Sequence, residues 1–328
     1  MNAFDYVAVT NAGQAIRERA DRPHAAYLAG GTNLIDDMKL RVETHDLLID
    51  VNQMGYADIT PLPHGGVRIG ANVRNSTLAY DARIKAQYPL LSQALLSGAS
   101  AQLRNAATTA GNILQRTRCY YFRDGISACN KREPGSGCSA LAGYNRIHAI
   151  LGTSQACIAT HPSDMDVALV ALDAVIHTRT GAGERSIPIG DFYVSYGDDP
   201  ARENTLQPGE LITAVDLPME PWFTRSTYVK ARDRASYEFA LSSAAVALDI
   251  NNGTIRDCRI ALGGVATKPW RAYAAESVLR GAMAEVASYQ RAAAAEVQPA
   301  VPHAYNAFKI ELIQRVMVQA LQTAAAIT

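Results

Sequence analysis

The hydrophobic positions fall into three successive regimes. In the first, Ala26-Tyr27-Leu28-Ala29 is a short apolar run broken by Gly30-Gly31. A helical pattern follows over residues 33–40, and residues 46–51 (DLLIDV) read as a strand. This gives strand, turn, helix, strand, with a boundary near Met54-Gly55. In the second regime residues 66–73 (GVRIGANV) alternate with the period of a strand. Asn75 or Ser76 can cap a helix whose apolar positions are Leu78, Ile84, Leu90, Leu91 and Leu95. A stretch containing Pro134, Gly135, Gly137 and Gly143 reads as loop. Order returns as a strand over 156–160, a helix capped by Ser163, a strand over 174–178, a turn at 181–183 and a strand over 210–217. A linker bounded by Pro218 and Pro221 opens the third regime. There 228–232, 244–250 and 254–262 read as strands, and Asn252-Gly253 is a type I′ hairpin signal. From Arg271 the chain is alanine-rich and helical, ending in a helix over 305–325. The fold class is α+β, divided at 1–54, 55–218 and 222–328, and no internal repeat interrupts it.

Composition changes this picture in a few places. The 328 residues are enough for two or three domains at ~150 residues each. Lysine plus arginine equals aspartate plus glutamate at 31 each. That balance excludes broad binding to nucleic acid or a membrane surface, which needs a basic surplus. No apolar run approaches the ~20 residues of a membrane span, which predicts no membrane insertion. Residues 1–20 are polar and mixed in charge, without an apolar signal core or a twin arginine. Folding in the cytosol, where disulfides seldom persist, is the expectation. A partner carrying the signal could still export the folded chain.

Three turns are candidate nucleotide contacts. Leu28-Ala29-Gly30-Gly31-Thr32-Asn33-Leu34 sets two glycines between a strand and a helix. Glycine lets the backbone come close to a ligand, and the following amides can converge on an anion. It is neither Gly-x-Gly-x-x-Gly nor a P-loop, and a tight turn without a ligand is the plainer reading. Thr108-Thr109-Ala110-Gly111-Asn112 offers hydroxyls, an amide side chain and a close-approach glycine, or simply a helix cap. His161-Pro162-Ser163-Asp164 offers a cap at Ser163 and an acceptor at Asp164.

Four of the five cysteines, Cys119, Cys129, Cys138 and Cys157, lie in the loop-rich segment with spacing Cys-x9-Cys-x8-Cys-x18-Cys. Zinc ribbons favour Cys-x2-Cys pairs, and a bacterial ferredoxin run is also absent. Spacing alone therefore leaves an iron–sulfur cluster, zinc and structural thiols all open. Between Arg104 and Arg146 stand seven basic residues, Arg104, Arg116, Arg118, Arg123, Lys131, Arg132 and Arg146, opposed by Asp124 and Glu133. They fit support of an anionic cluster, a docking face or a solvated loop. Cys258 in a strand reads as a buried structural thiol. The seven histidines are scattered without ligand spacing, and no acid, base or nucleophile stands out as catalytic.

Taken in order, AGGTNLIDDMK, RNAATTAGNI, HPSDMDVAL, GELITAVDLP and YVKARDR resemble the FAD-binding subunits of molybdenum hydroxylases, over nearly the whole chain. The resemblance implies a two-part α/β flavin domain followed by a domain of antiparallel sheet and helices. It implies an FAD diphosphate on the turn formed by Leu28, Ala29, Gly30, Gly31, Thr32, Asn33 and Leu34. Thr108, Thr109, Gly111 and Asn112 would complete the cradle, with further contacts from Asp164, Leu211, Ile212 and Lys230. Many relatives carry two glycines where this chain has Ala110-Gly111, so position 110 is expected to tolerate a Cβ. The cysteine segment reads as an insertion that most of the family lacks. It is similar to the insertion in flavin subunits of bacterial aldehyde oxidoreductases and of 4-hydroxybenzoyl-CoA reductase, where it holds a 4Fe-4S cluster. By that resemblance Cys119, Cys129, Cys138 and Cys157 are the ligands and Tyr120, Tyr121 and Phe122 shield them. The partners implied are a molybdenum-cofactor large subunit, a 2Fe-2S small subunit and an external electron acceptor. Electrons would run from partner clusters through non-covalently bound FAD. The alternatives are a CoA-thioester reductase subunit and a zinc-stabilised flavin-fold scaffold. The aldehyde oxidoreductase type implies export to the periplasm with a twin-arginine partner; cytoplasm is the alternative.

Overall fold

The computed structural model describes residues 1–20 and 22–327. The domain expected over 222–328 therefore ends at a residue, Thr328, that lies outside the described residues. The first sheet is parallel, in the order β1 (Asp5–Ala8), β3 (Leu47–Asp50), β2 (Ala25–Leu28). Its crossovers are the helices Ala12–Ala20 and Leu34–Lys39. Leu47, Ile49, Ala12 and Ala15 form a small core that also takes in Leu211 from the next sheet. The opening strand and helix, β1 and Ala12–Ala20, precede the first element expected from the sequence. β1 is mostly exposed and only two alanines of the helix are buried, so neither carries a strong apolar pattern.

The second sheet is antiparallel, built from β4 (Ile59–Pro61), β5 (Val67–Gly70), β6 (Val175–Thr180), β7 (Gly183–Pro188) and β8 (Leu211–Leu217) in the order β4-β5-β8-β6-β7. The single helix expected after residue 75 is instead three: Asn75–Tyr80, Ala82–Gln87 and Pro89–Ser97. Asp81 caps the second by accepting from the amides of Arg83 and Ile84. Pro89, which has no N–H to give, starts the third. Arg74, not Asn75 or Ser76, occupies the first cap. The strand expected over 156–160 is absent, because its amides go elsewhere. Ala156 and Cys157 donate to the Ser154 hydroxyl, and Ala159 donates to the Cys157 sulfur.

The third sheet runs β12 (Trp270–Arg271), β11 (Thr254–Gly263), β10 (Ser242–Asn251), β9 (Ser226–Ala231), all antiparallel. Asn252 and Gly253 both take positive φ, 49° and 76°, as the hairpin signal requires. Strand side chains alternate between faces, and β10 is buried on both. Ala244, Val246 and Leu248 meet a core shared with the helices Tyr273–Leu279, Val286–Glu296 and Phe308–Ala325. Ala245 and Ala247 face the core of the second sheet. Between them lies the helix Asp164–Ala171, all of whose residues are buried. This helix carries the third candidate turn at its start, so the interface of two sheets fixes the position of Asp164.

Candidate FAD-binding cleft and thiol cluster

The first turn packs closely against Ala106 and Ala107, which lead into the second. A Cβ on Gly30 would lie 2.1 Å from the Ala106 carbonyl oxygen, so only glycine allows the approach. Gly31 takes φ 70°, which an L side chain adopts only at a cost. Arg74 bridges the contact by donating to the carbonyl of Ala106 and to Asn52 Oδ1. Asn52 in turn donates to the Ala29 carbonyl at 3.0 Å. Thr108 caps the short helix Thr109–Ile113 by accepting from the Gly111 amide, and Thr109 donates to Val73. Both threonines are fully buried. The cap reading is thus correct in itself, and the cap aims the turn.

The second and third turns are joined by Ser163 Oγ, which donates to Asn112 Oδ1 at 2.8 Å and caps the helix Asp164–Ala171. Asp164 is held by two partners from β9. Tyr228 donates to Oδ1 at 2.5 Å and Lys230 donates to Oδ2 at 2.8 Å. Lys230 also reaches the Ser97 carbonyl. Beside this lattice lies a cleft of about 690 Å³, the size of a site for a large organic ligand. Thr32, Asn33, Gly111, Asn112 and Asp164 line it. Leu28, Ala29, Gly30, Gly31, Leu34, Thr108, Thr109, Leu211, Ile212 and Lys230 are not among its lining residues; they form the turns, cores and bonds behind it. Leu211 and Ile212 are packed into two separate cores.

Sequence reading did not name as flavin contacts Arg104, Arg118, Tyr120, Tyr237 and Phe239, which also line the cleft. Arg118 stacks its guanidinium 5.0 Å from the Phe239 ring and is in no ion pair among the described residues. Burial, then neighbouring Arg123, lowers its proton affinity below the ordinary arginine range. The other basic residues of the segment have separate duties. Arg116 and Lys131 pair with Glu203, Arg123 with Asp36 and Asp37, and Arg146 with Asp233. The carboxylates that balance the segment thus come from outside it, which a local count of charges cannot reveal. The one sequence signal for Arg118 is its place in Arg116-Thr117-Arg118, beside Cys119 and the aromatic run 120–122.

Cys119, Cys129, Cys138 and Cys157 gather in one cluster with Phe122, Ala140 and Ile158, and all are free thiols. Cys129 and Cys138 pair as a short antiparallel bridge. Backbone amides point at the sulfurs: Tyr121 and Phe122 at Cys119, Ala140, Leu141 and Ile158 at Cys138, and Ala159 at Cys157. Burial pushes the Cys119 thiol up to about 12. Cys138 is drawn below the ordinary thiol range, chiefly by neighbouring Cys157. A pocket that presents several N–H donors to sulfur suits thiolates carrying shared negative charge. Among the described residues no three His, Cys, Asp or Glu side chains are set to clasp a single metal ion.

The sheet order and this cleft define a flavin-binding subunit, and the comparison with known families agrees. Residues 2–220 match the profile of the FAD binding domain in molybdopterin dehydrogenase, and residues 226–324 that of the CO dehydrogenase flavoprotein C-terminal domain. The chain therefore belongs to the FAD-binding medium subunits of the molybdenum hydroxylases, an oxidoreductase family, and FAD is the cofactor of its fold. Among relatives, it is 51% identical to the aldehyde oxidoreductase FAD-binding subunit PaoB of Escherichia coli, covering 99% of each chain. It is 27% identical to the glyceraldehyde dehydrogenase medium chain of Sulfolobus acidocaldarius, over 85% of this chain and 81% of that one. A carbon monoxide dehydrogenase structure from Hydrogenophaga pseudoflava shares the fold with a TM-score of 0.78 at 24% identity, over 99% of this chain and 98% of the other.

Proposed function

We propose that this chain is the FAD and 4Fe-4S electron-transfer subunit of a molybdenum-dependent aldehyde oxidoreductase. One observation carries the reading: the thiol cluster adjoins the flavin cleft. Arg118 and Tyr120, the neighbours of Cys119 on either side, both line the cleft, while Cys119 itself is buried in the cluster. The two sites therefore meet at adjacent residues along the chain. The whole-length relative named as an aldehyde oxidoreductase subunit supports the substrate class.

When bound, FAD supplies one- and two-electron chemistry and a cluster supplies single-electron steps. The chain's own residues do the holding. The amides and side chains of Thr32, Asn33, Gly111 and Asn112 would receive the polar parts of FAD, with Asp164 as an acceptor and Arg118 as the cation. Cys119, Cys129, Cys138 and Cys157 would hold the cluster. Electrons would enter from a 2Fe-2S small subunit, after aldehyde oxidation in a molybdenum-cofactor large subunit, and leave to an external acceptor. We place the complex in the periplasm, exported folded with a signal-bearing partner, rather than in the cytoplasm.

Anaerobic mixing of the assembled complex with an aldehyde, followed at the flavin and cluster bands, tests this reading. Both bands are expected to bleach within turnover time. Flavin bleaching without any iron–sulfur signal from this subunit would leave a plain flavin subunit and overturn the cluster assignment.

A further inference from the structure

We propose that His148 is a positioning residue for the thiol cluster, donating its Nε2 proton to the Cys119 sulfur and thereby making a cluster bound there easier to reduce. The inference rests on the iron–sulfur reading above. His148 is 1% exposed, and its Nε2 lies 3.1 Å from Cys119 Sγ. A neutral imidazole carries one proton. Once Cys119 binds a cluster its sulfur carries no proton, so an Nε2 without a proton would face it as a second acceptor. On Nε2 the proton makes the hydrogen bond. The protonated ring would donate from Nε2 as well, so the assignment does not depend on its charge.

Two tyrosines flank the ring. Tyr120 and Tyr121 pack against it with centroids 6.4 Å and 6.2 Å away. Its backbone is tied to the C-terminal region. Asn306 Nδ2 donates to the carbonyls of His148 and Ala149. Lys309 Nζ donates to Ile147 O at 2.9 Å. Asn145, which accepts from the His148 amide, accepts in turn from the Tyr305 amide. A histidine that merely filled space would not need these anchors. Adding an electron to a cluster adds negative charge, and a donor on a ligand sulfur stabilises that charge; hydrogen bonds to sulfur are one of the levers that set cluster potentials. Cys119 already accepts from two amides, and His148 supplies the side-chain donor.

The test is potentiometric titration, read by electron paramagnetic resonance, of the complex carrying wild-type, His148→Gln or His148→Leu chain. Glutamine keeps an N–H within reach and leucine keeps bulk only. Wild-type and Gln are expected to titrate close together, and Leu at a more negative potential with iron content unchanged. A Leu variant that titrates with wild-type would overturn the proposal. Should Leu fail to fold, pulsed resonance on wild-type protein with nitrogen-15 in histidine alone decides. A weak histidine-nitrogen coupling to the reduced cluster, lost in Gln, supports the donor, and its absence overturns it. A wild-type chain without iron would instead remove the underlying reading, and this proposal with it.

Discussion

Lys230 Nζ lies 2.8 Å from Asp164 Oδ2, and both side chains are almost fully buried. The lysine stands on β9 and the aspartate at the start of the helix Asp164–Ala171. This ion pair therefore ties the C-terminal domain to the wall of the flavin cleft. Removing one member leaves the other charge buried. Asp164→Asn is expected to weaken flavin binding by about 1.5–3 kcal/mol, on the order of ten- to a hundredfold. Lys230→Met is expected to lower thermal stability more than flavin affinity, since it does not line the cleft. Equilibrium dialysis of FAD against each refolded variant, with a melting curve for each, measures both; equal flavin affinity in wild-type and Asp164→Asn would contradict the role given to the carboxylate.

Gly30→Ala would push a methyl group into the Ala106 carbonyl. Backbone cannot yield as a side-chain tip can, so the first turn should move away from the second. The expected outcome is protein that is destabilised by several kcal/mol and purifies without flavin. Gly190→Ala, where nothing stands within 4 Å, is the control and should resemble wild-type in flavin absorbance and melting temperature.

Much of this site is legible in the order of residues alone. The glycine pair, the Thr-Thr-Ala-Gly-Asn turn and Asp164 are local patterns, because a turn that approaches another backbone must place glycine where it touches. The four cysteines are legible because thiols are rare and these four fall in one segment. Arg118, Tyr237 and Phe239 are not legible as lining residues of the cleft. They come from the insertion and from the loop after β9, and only tertiary closure brings them to one cleft. Likewise Glu203 gives no hint that it balances Arg116 and Lys131, which stand 87 and 72 residues away along the chain. The helix breaks at Asp81 and Pro89 are written in the sequence, but apolar spacing across them is helical enough to hide them.

Cys129→Ser is expected to remove the iron while leaving most of the flavin, because the cleft is lined by none of the four cysteines. Iron and flavin measured on the same purified sample check this. Parallel loss of both would mean that the thiol segment holds the cleft together through Arg118 and Tyr120.

Lys309 is fully buried in the helix Phe308–Ala325, and burial lowers its ammonium from the ordinary 10.5 to about 7. Between about pH 7 and 10.5 the unfolded chain holds a proton that the folded chain has released. Stability from this group therefore rises with pH across that window and is smallest below it. Urea midpoints of wild-type should climb relative to Lys309→Met as pH is raised through the same range. Parallel profiles for the two proteins would show that the lysine stays charged in its pocket, held by the carbonyls of Ile147 and Gly264.

The central claim is that a flavin site and an iron–sulfur site stand side by side in one chain. Iron, acid-labile sulfide, zinc and FAD determined together on the anaerobically purified full chain test it most directly. The account predicts one FAD and one 4Fe-4S cluster per chain, with zinc below stoichiometry. Stoichiometric zinc without iron, or FAD alone with four reactive thiols, would contradict it.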